Sequence, residues 1–123
     1  MRRITFMLSL LILSLSIYAA NVNPISSAFT SGNASALENS MDKEVDFVLL
    51  SNTKNCSGRE AVQLLAEFFA SNKPSGFTIV HQAEKTNTGF YVGKLTCGQS
   101  SYRVNITYKI SGDSILIQSI RIE

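Results

Sequence analysis

The feature that most narrows the choice of fold is a set of four strand-like stretches in the C-terminal part of the chain. Phe77–Glu84, Gly89–Cys97, Ser101–Ile110 and Ser114–Ile122 are rich in β-branched and aromatic residues. Only Lys85-Thr86-Asn87-Thr88, Gly98-Gln99-Ser100 and Ser111-Gly112-Asp113 separate them. Connections this short carry no crossover helix, so the strands are expected to form hairpins and an antiparallel sheet. In the third stretch Tyr102, Val104, Ile106, Tyr108 and Ile110 alternate strictly with Arg103, Asn105, Thr107 and Lys109. That pattern gives one dry and one wet face. A sheet with a dry face needs a cover, which the preceding residues must supply.

The clearest cover is a helix beginning near Ser57. Ser57-Gly58-Arg59-Glu60 is a capping box, in which the Ser57 hydroxyl can accept from the Glu60 backbone N–H. Ala61, Leu64, Leu65, Phe68 and Phe69 then form one stripe, and Asn72 to Gly76, with Pro74, ends the helix. Upstream, Val22 to Met41 reads as two short helical pieces. The first carries Ile25, Ala28 and Phe29; the second starts at Asn33 and carries Ala34, Leu37 and Met41. Val45 to Leu50 is a strand candidate, and Ser51 to Asn55 reads as a polar loop. The expected fold class is α+β: a curved antiparallel sheet (one strand, the long helix, then a four-strand meander) packed on one long and two short N-terminal helices.

The first residues belong to a different physical class. Met1-Arg2-Arg3 is followed by an apolar run from Ile4 to Tyr18 and then Ala19-Ala20, the order of a cleavable secretory signal peptide. The run is short for a membrane anchor, which needs about 20 apolar residues. Residues 1–20 are therefore expected to be removed, leaving 21–123 as one domain, exported to a periplasm or secreted. Of the 11 Lys+Arg and 9 Asp+Glu in the chain, Arg2 and Arg3 leave with the leader. The remainder is then neutral, and its basic residues are scattered singly. No clustered positive face is available for phosphates, so nucleic acid is not an expected partner.

Several of these stretches also carry a family likeness. Ser31-Gly32-Asn33-Ala34-Ser35-Ala36-Leu37, Ala66-Glu67-Phe68-Phe69, Phe77-Thr78-Ile79-Val80-His81-Gln82, Val92-Gly93-Lys94-Leu95-Thr96 and Ile117-Gln118-Ser119-Ile120-Arg121-Ile122-Glu123 span most of the region after the leader. With them the chain resembles the exported bacterial proteins of domain of unknown function 4783. The resemblance implies the nuclear transport factor 2-like, cystatin-like cone fold, a curved sheet around a long helix that often leaves a pocket. That fold hosts isomerases, hydrolases, dehydratases and many non-enzymes, so it assigns no activity.

The candidate site residues follow from strand parity. His81, the only histidine, shares parity with Phe77 and Ile79 and is expected to face the helices, where it could act as a general base or sit as a satisfied core imidazole. Asp46 is expected to point outward, which argues against an Asp–His dyad. Tyr91, Tyr102, Tyr108 and Gln118 could lend polar tips to a pocket, although Ile115, Leu116 and Ile117 leave the inward face of the last strand undecided. No spacing suits a metal, and no cofactor is expected. Cys56 and Cys97 are expected to remain unbridged. The long helix would hold them at opposite ends of the domain, whereas a disulfide needs Cα atoms within about 7 Å. The expected function is a non-catalytic ligand-binding or accessory module. The alternatives are a small-molecule enzyme using His81 for proton transfer and a protein–protein module that pairs, as a homodimer for instance, through the sheet face. The ligand is an unspecified small molecule or protein, and no membrane contact is expected once the leader is gone.

Overall fold

Ser57 closes the predicted cap: its hydroxyl accepts from the Glu60 N–H at 3.2 Å, and the helix α2 (Gly58–Ser71) follows at once. The computed structural model describes residues 23–123, so the expected leader lies outside the described residues. Ala61, Leu65, Phe68 and Phe69 are buried, as the stripe requires. At the far end the Asn72 N–H and its side-chain amide both donate to the Phe68 carbonyl, and Lys73-Pro74 prevents continuation. The first helix, α1 (Asn23–Ser31), stops at Gly32, whose φ of +69° is left-handed. The Asn33 N–H then reaches back to the Ala28 carbonyl at 2.9 Å, the closing bond of a glycine C-cap. The second predicted helical piece is only a 3₁₀ helix, Ala34–Leu37. Met41, expected at its end, instead starts a strand.

Six strands form one sheet: β1 (Met41–Leu49), β2 (Asn52–Ser57), β3 (Gly76–Glu84), β4 (Thr88–Cys97), β5 (Ser100–Ser111) and β6 (Ser114–Ile122). Their order across the sheet is β2-β1-β6-β5-β4-β3. The four-strand meander falls where the sequence places it, with every hairpin antiparallel. Two expectations are corrected. The stretch read as a loop at Ser51–Asn55 is largely the edge strand β2, paired antiparallel with β1. The sheet is mixed rather than wholly antiparallel, because β1 lies parallel to β6.

The inner face of the sheet carries Val45, Phe47, Tyr91, Leu95, Val104, Ile106, Tyr108, Ile117, Ile120 and Ile122, all buried. The helices cover it through aromatic rings. Phe29 of α1 stacks on Phe77 of β3 at 5.2 Å and meets Phe69 of α2 edge-on at 5.4 Å, while Phe68 meets Tyr102 of β5 edge-on at 5.2 Å. The close approach of Phe77 to the sheet requires Gly93. A Cβ there would lie 2.2 Å from the ring tip, well inside any real carbon–carbon contact.

Both thiols are free; Cys56 is buried on β2 and donates to the Val45 carbonyl at 3.6 Å, and Cys97 closes β4. The two cysteines are separated across the sheet as well as along the helix. β2 and β4 are four strand spacings apart, roughly 19 Å along the sheet at ~4.8 Å per strand.

Candidate functional site

Two irregularities in the ladders decide which side chains reach the outer face. On β3, Ile79 pairs with Gly93 but His81 pairs with Val92, so Val80 is an extra residue. This is a β-bulge, which moves the rest of the strand by one position and exchanges its faces. His81 was expected to face the helices. The bulge turns it outward, where it is exposed and its ring centre lies 5.7 Å from that of Phe90. On β6, Thr107 pairs with Ser119 and Tyr108 with Ile117, which leaves Gln118 as a second extra residue. The shift explains why both parities of this strand are apolar. Ile115 and Ile117 are buried before it, and Ile120 and Ile122 after it.

The five residues proposed from the sequence therefore do not form one site. Tyr91 and Tyr108 are brought together on the inner face, with ring centres 6.3 Å apart. The Tyr108 hydroxyl donates to the Glu84 carboxylate at 2.8 Å, and burial pushes this phenol up to about 12, with the carboxylate adding to the shift. Tyr91 is fully buried, its hydroxyl meets no hydrogen-bond partner among the described residues, and burial raises it further still. Tyr102 lies at the opposite end of the same face. Its hydroxyl donates to the Asn72 side-chain oxygen at 3.1 Å, tying the end of α2 to β5. Gln118 is exposed at the β6 bulge; it shares one small pocket with Tyr108 and not with Tyr91, Tyr102 or His81.

Gln118 lines a polar groove of about 600 Å³ with Asp42, Glu44, Asp46, Asn55 and Ser119. Two of its three carboxylates are engaged: the Asn55 amide donates to Asp46 at 2.8 Å, and Lys109 stands 3.5 Å from Asp42. The backbone N–H of Lys43 lowers the Asp42 pKa, with the charge of Lys109 helping. Asp46 does point outward, as parity predicts. Although His81 now shares its face, β1 and β3 are four strands apart, roughly 19 Å at ~4.8 Å per strand, so no dyad forms. Among the described residues no group of three or more His, Cys, Asp or Glu is placed to hold a metal ion.

A second groove on the outer face, of about 680 Å³, has a different character. Val80, His81, Phe90 and Val92 form its apolar part, and Lys94, Arg103 and Glu123 its charged part. Val80 is 67% exposed and Phe90 39%, unusual for large apolar side chains on a sheet. Lys94 and Arg103 are direct cross-strand partners, and neither makes an ion pair among the described residues. Like charges in that position destabilise a sheet. The Glu123 carboxylate is held by Arg121 at 2.6 Å. Val80, Phe90, Val92, Lys94 and Arg103 were not among the residues proposed from the sequence. The available signal was the outward parity of Phe90 and Val92 on β4, two apolar residues on the wet face.

No curated protein matches the sequence. Among solved structures, a protein from Bacteroides ovatus of the DUF4783 family is 31% identical, with TM-score 0.76 over 80% of this chain and 90% of that chain. A second, from Bacteroides uniformis, is 26% identical, with TM-score 0.79 over 84% of this chain and 95% of that chain. A de novo designed protein with a curved β-sheet, 10% identical, has TM-score 0.65 over 83% of this chain and 94% of its own, and shares the fold alone. The profile of the domain of unknown function DUF4783 matches residues 22–123, and the chain belongs to that family.

Proposed function

We propose that this chain is an exported, non-catalytic binding module whose ligand lies in the outer-face groove of β3, β4 and β5. The observation that supports this reading is the groove itself. A concavity of about 680 Å³ falls within the range of small-molecule sites, and an apolar floor beside a few polar groups is their usual composition. The enzymatic alternative loses its support at His81. The imidazole is exposed beside Phe90 and forms no ion pair with a carboxylate among the described residues, so the His–carboxylate pairing that would favour proton transfer is not among the features supporting that reading. The test is chemical-shift mapping of the chain without its leader, titrated with 1-decanol as an apolar probe. Shifts confined to Val80, His81, Phe90 and Val92 support the site. Shifts elsewhere, or none with this probe and none with its charged analogue, overturn it.

A second reading, self-association through the same face, is favoured by the distribution of sign. Glu44 and Asp46 lie outward on β1, and Lys94 and Arg103 outward on β4 and β5. The acidic pair lies about four residues further down the sheet than the basic pair, so a twofold axis oblique to the strands would bring each cluster toward its complement on a second copy. Sedimentation equilibrium separates the readings: a dimer that dissociates on Lys94→Glu and re-forms on adding Glu44→Lys supports pairing, and a monomer at all concentrations excludes it.

A further inference from the structure

We infer that the outer-face groove takes a molecule with an apolar chain and a single carboxylate head, an inference that rests on the binding reading above and names its ligand class. The argument begins with the two cations. Lys94 on β4 and Arg103 on β5 face each other across the ladder on the same side of the sheet. Their repulsion works against the fold, and no carboxylate of the described residues offsets it by ion pairing.

The second part of the argument is what adjoins them. Val92 lies next to Lys94 on the outer side of β4, with Phe90 beyond it, His81 across the ladder from Val92, and the bulged Val80 at the margin. These residues form an apolar strip that ends at the cation pair. The combination matches an amphipathic anion, with the chain along the strip and the head between the ammonium and the guanidinium. A guanidinium offers a planar fork that fits the two oxygens of a carboxylate, and the ammonium adds a point charge. Among the lining side chains the two cations face only the Glu123 carboxylate, which Arg121 already holds.

Polar residues bound the strip. Asn105 and Thr107 on the outer side of β5 stand between it and the acidic groove, where Asp46 is bonded to Asn55 and Asp42 is paired with Lys109. An extended apolar partner surface would have to cover those polar groups, whereas a narrow chain need not.

The test compares decanoate with 1-decanol, below their aggregation limits, on the chain lacking its leader and on the Lys94→Gln/Arg103→Gln variant. Both side chains are removed from the exposed face and a like-charge contact is lost, so the variant is expected to melt no lower than the parent. Decanoate should bind the parent more tightly than decanol. The variant should weaken decanoate about tenfold or more, in line with the loss of charge-assisted hydrogen bonds, and leave decanol unchanged. Equal binding of the two probes, or an equal effect of the variant on both, overturns the carboxylate assignment while leaving the groove as a binding site. Failure of both probes to shift the groove residues overturns the binding reading itself.

Discussion

Replacing Gly93 with alanine adds one methyl group to the inner face of β4, at a point where the surrounding atoms are known. Its carbon would lie 2.2 Å from Phe77 Cζ and 2.5 Å from Cε1. Carbon atoms in contact sit about 3.5–4.0 Å apart, so the ring must retreat by roughly 1.3–1.8 Å. The Phe77 ring is stacked on Phe29 and meets Tyr91 edge-on, so that retreat loosens the contact between α1 and the sheet. Gly93 is not among the positive-φ residues, so the effect is steric and not conformational. Overpacking of this kind costs about 1–3 kcal/mol, and a disrupted aromatic pair adds ~0.5–1.5. Removing a strand glycine returns ~0.5–1 kcal/mol. The net expectation is a loss of about 1–3 kcal/mol, or ~5–20 °C in Tm for a domain of this size. Thermal melts by circular dichroism measure it. An unchanged or higher Tm would refute the placement of the ring over residue 93. In a Phe77→Ala background the same substitution should lose its cost, because the clashing group is gone.

The remaining predictions probe other contacts. Phe68 is 5% exposed and meets Tyr102 edge-on, so Phe68→Ala should cost about 3–5 kcal/mol in urea unfolding; a loss below ~1 kcal/mol would mean that α2 is not packed as described. Leu50 holds a φ of +56° in the β1–β2 turn while its side chain is 57% exposed, so Leu50→Asn should raise Tm by relieving a left-handed conformation that costs an L-residue about 1–2 kcal/mol; a lower Tm would count against that turn. Burial raises the folded-state pKa of both Tyr91 and Tyr108, so above pH ~10 the unfolded chain releases phenolic protons that the folded chain keeps, and stability falls as pH rises toward the folded values. Urea melts between about pH 9 and 11 should fall less steeply for Tyr91→Phe/Tyr108→Phe than for the parent, and parallel slopes would show that the phenols are not buried in this way.

The elements legible in the sequence are those whose signals are local. Ser57 and Glu60 lie three residues apart, the α2 stripe recurs within one helix, and the hairpins of β4–β5 and β5–β6 carry glycines with positive φ at Gly98 and Gly112. Strand β2 escaped because its turn, Leu50-Ser51, lacks the Gly or Asn that normally marks a left-handed position. The strand itself, Asn-Thr-Lys-Asn-Cys-Ser, buries only Cys56, as suits a polar sheet edge. The parallel pairing of β1 with β6 joins segments some 70 residues apart, and no local pattern encodes it. Of the candidate site, the neighbourhood of Tyr91 and Tyr108 follows from simple alternation. The outward position of His81 does not, because alternation presumes an unbroken ladder.

The bulge at Val80 links the two faces of the sheet. In an unbroken ladder His81 would lie inward with Ile79, and Glu84 would lie outward. The extra residue reverses both: His81 joins Phe90 and Val92 on the outer groove, and Glu84 comes under the Tyr108 hydroxyl on the inner face. A one-residue slip of β3 would undo the two placements together, breaking the Tyr108–Glu84 hydrogen bond and withdrawing His81 from the groove. The inner bond thus pins the register that shapes the outer site. It is made by a phenol that burial keeps protonated and therefore able to donate. Along an edge strand whose other residues from Thr78 to Glu84 are exposed, few contacts exist to fix register. A buried tyrosine bonded to the strand's last carboxylate supplies one, and the groove wall formed by Val80 and His81 depends on it.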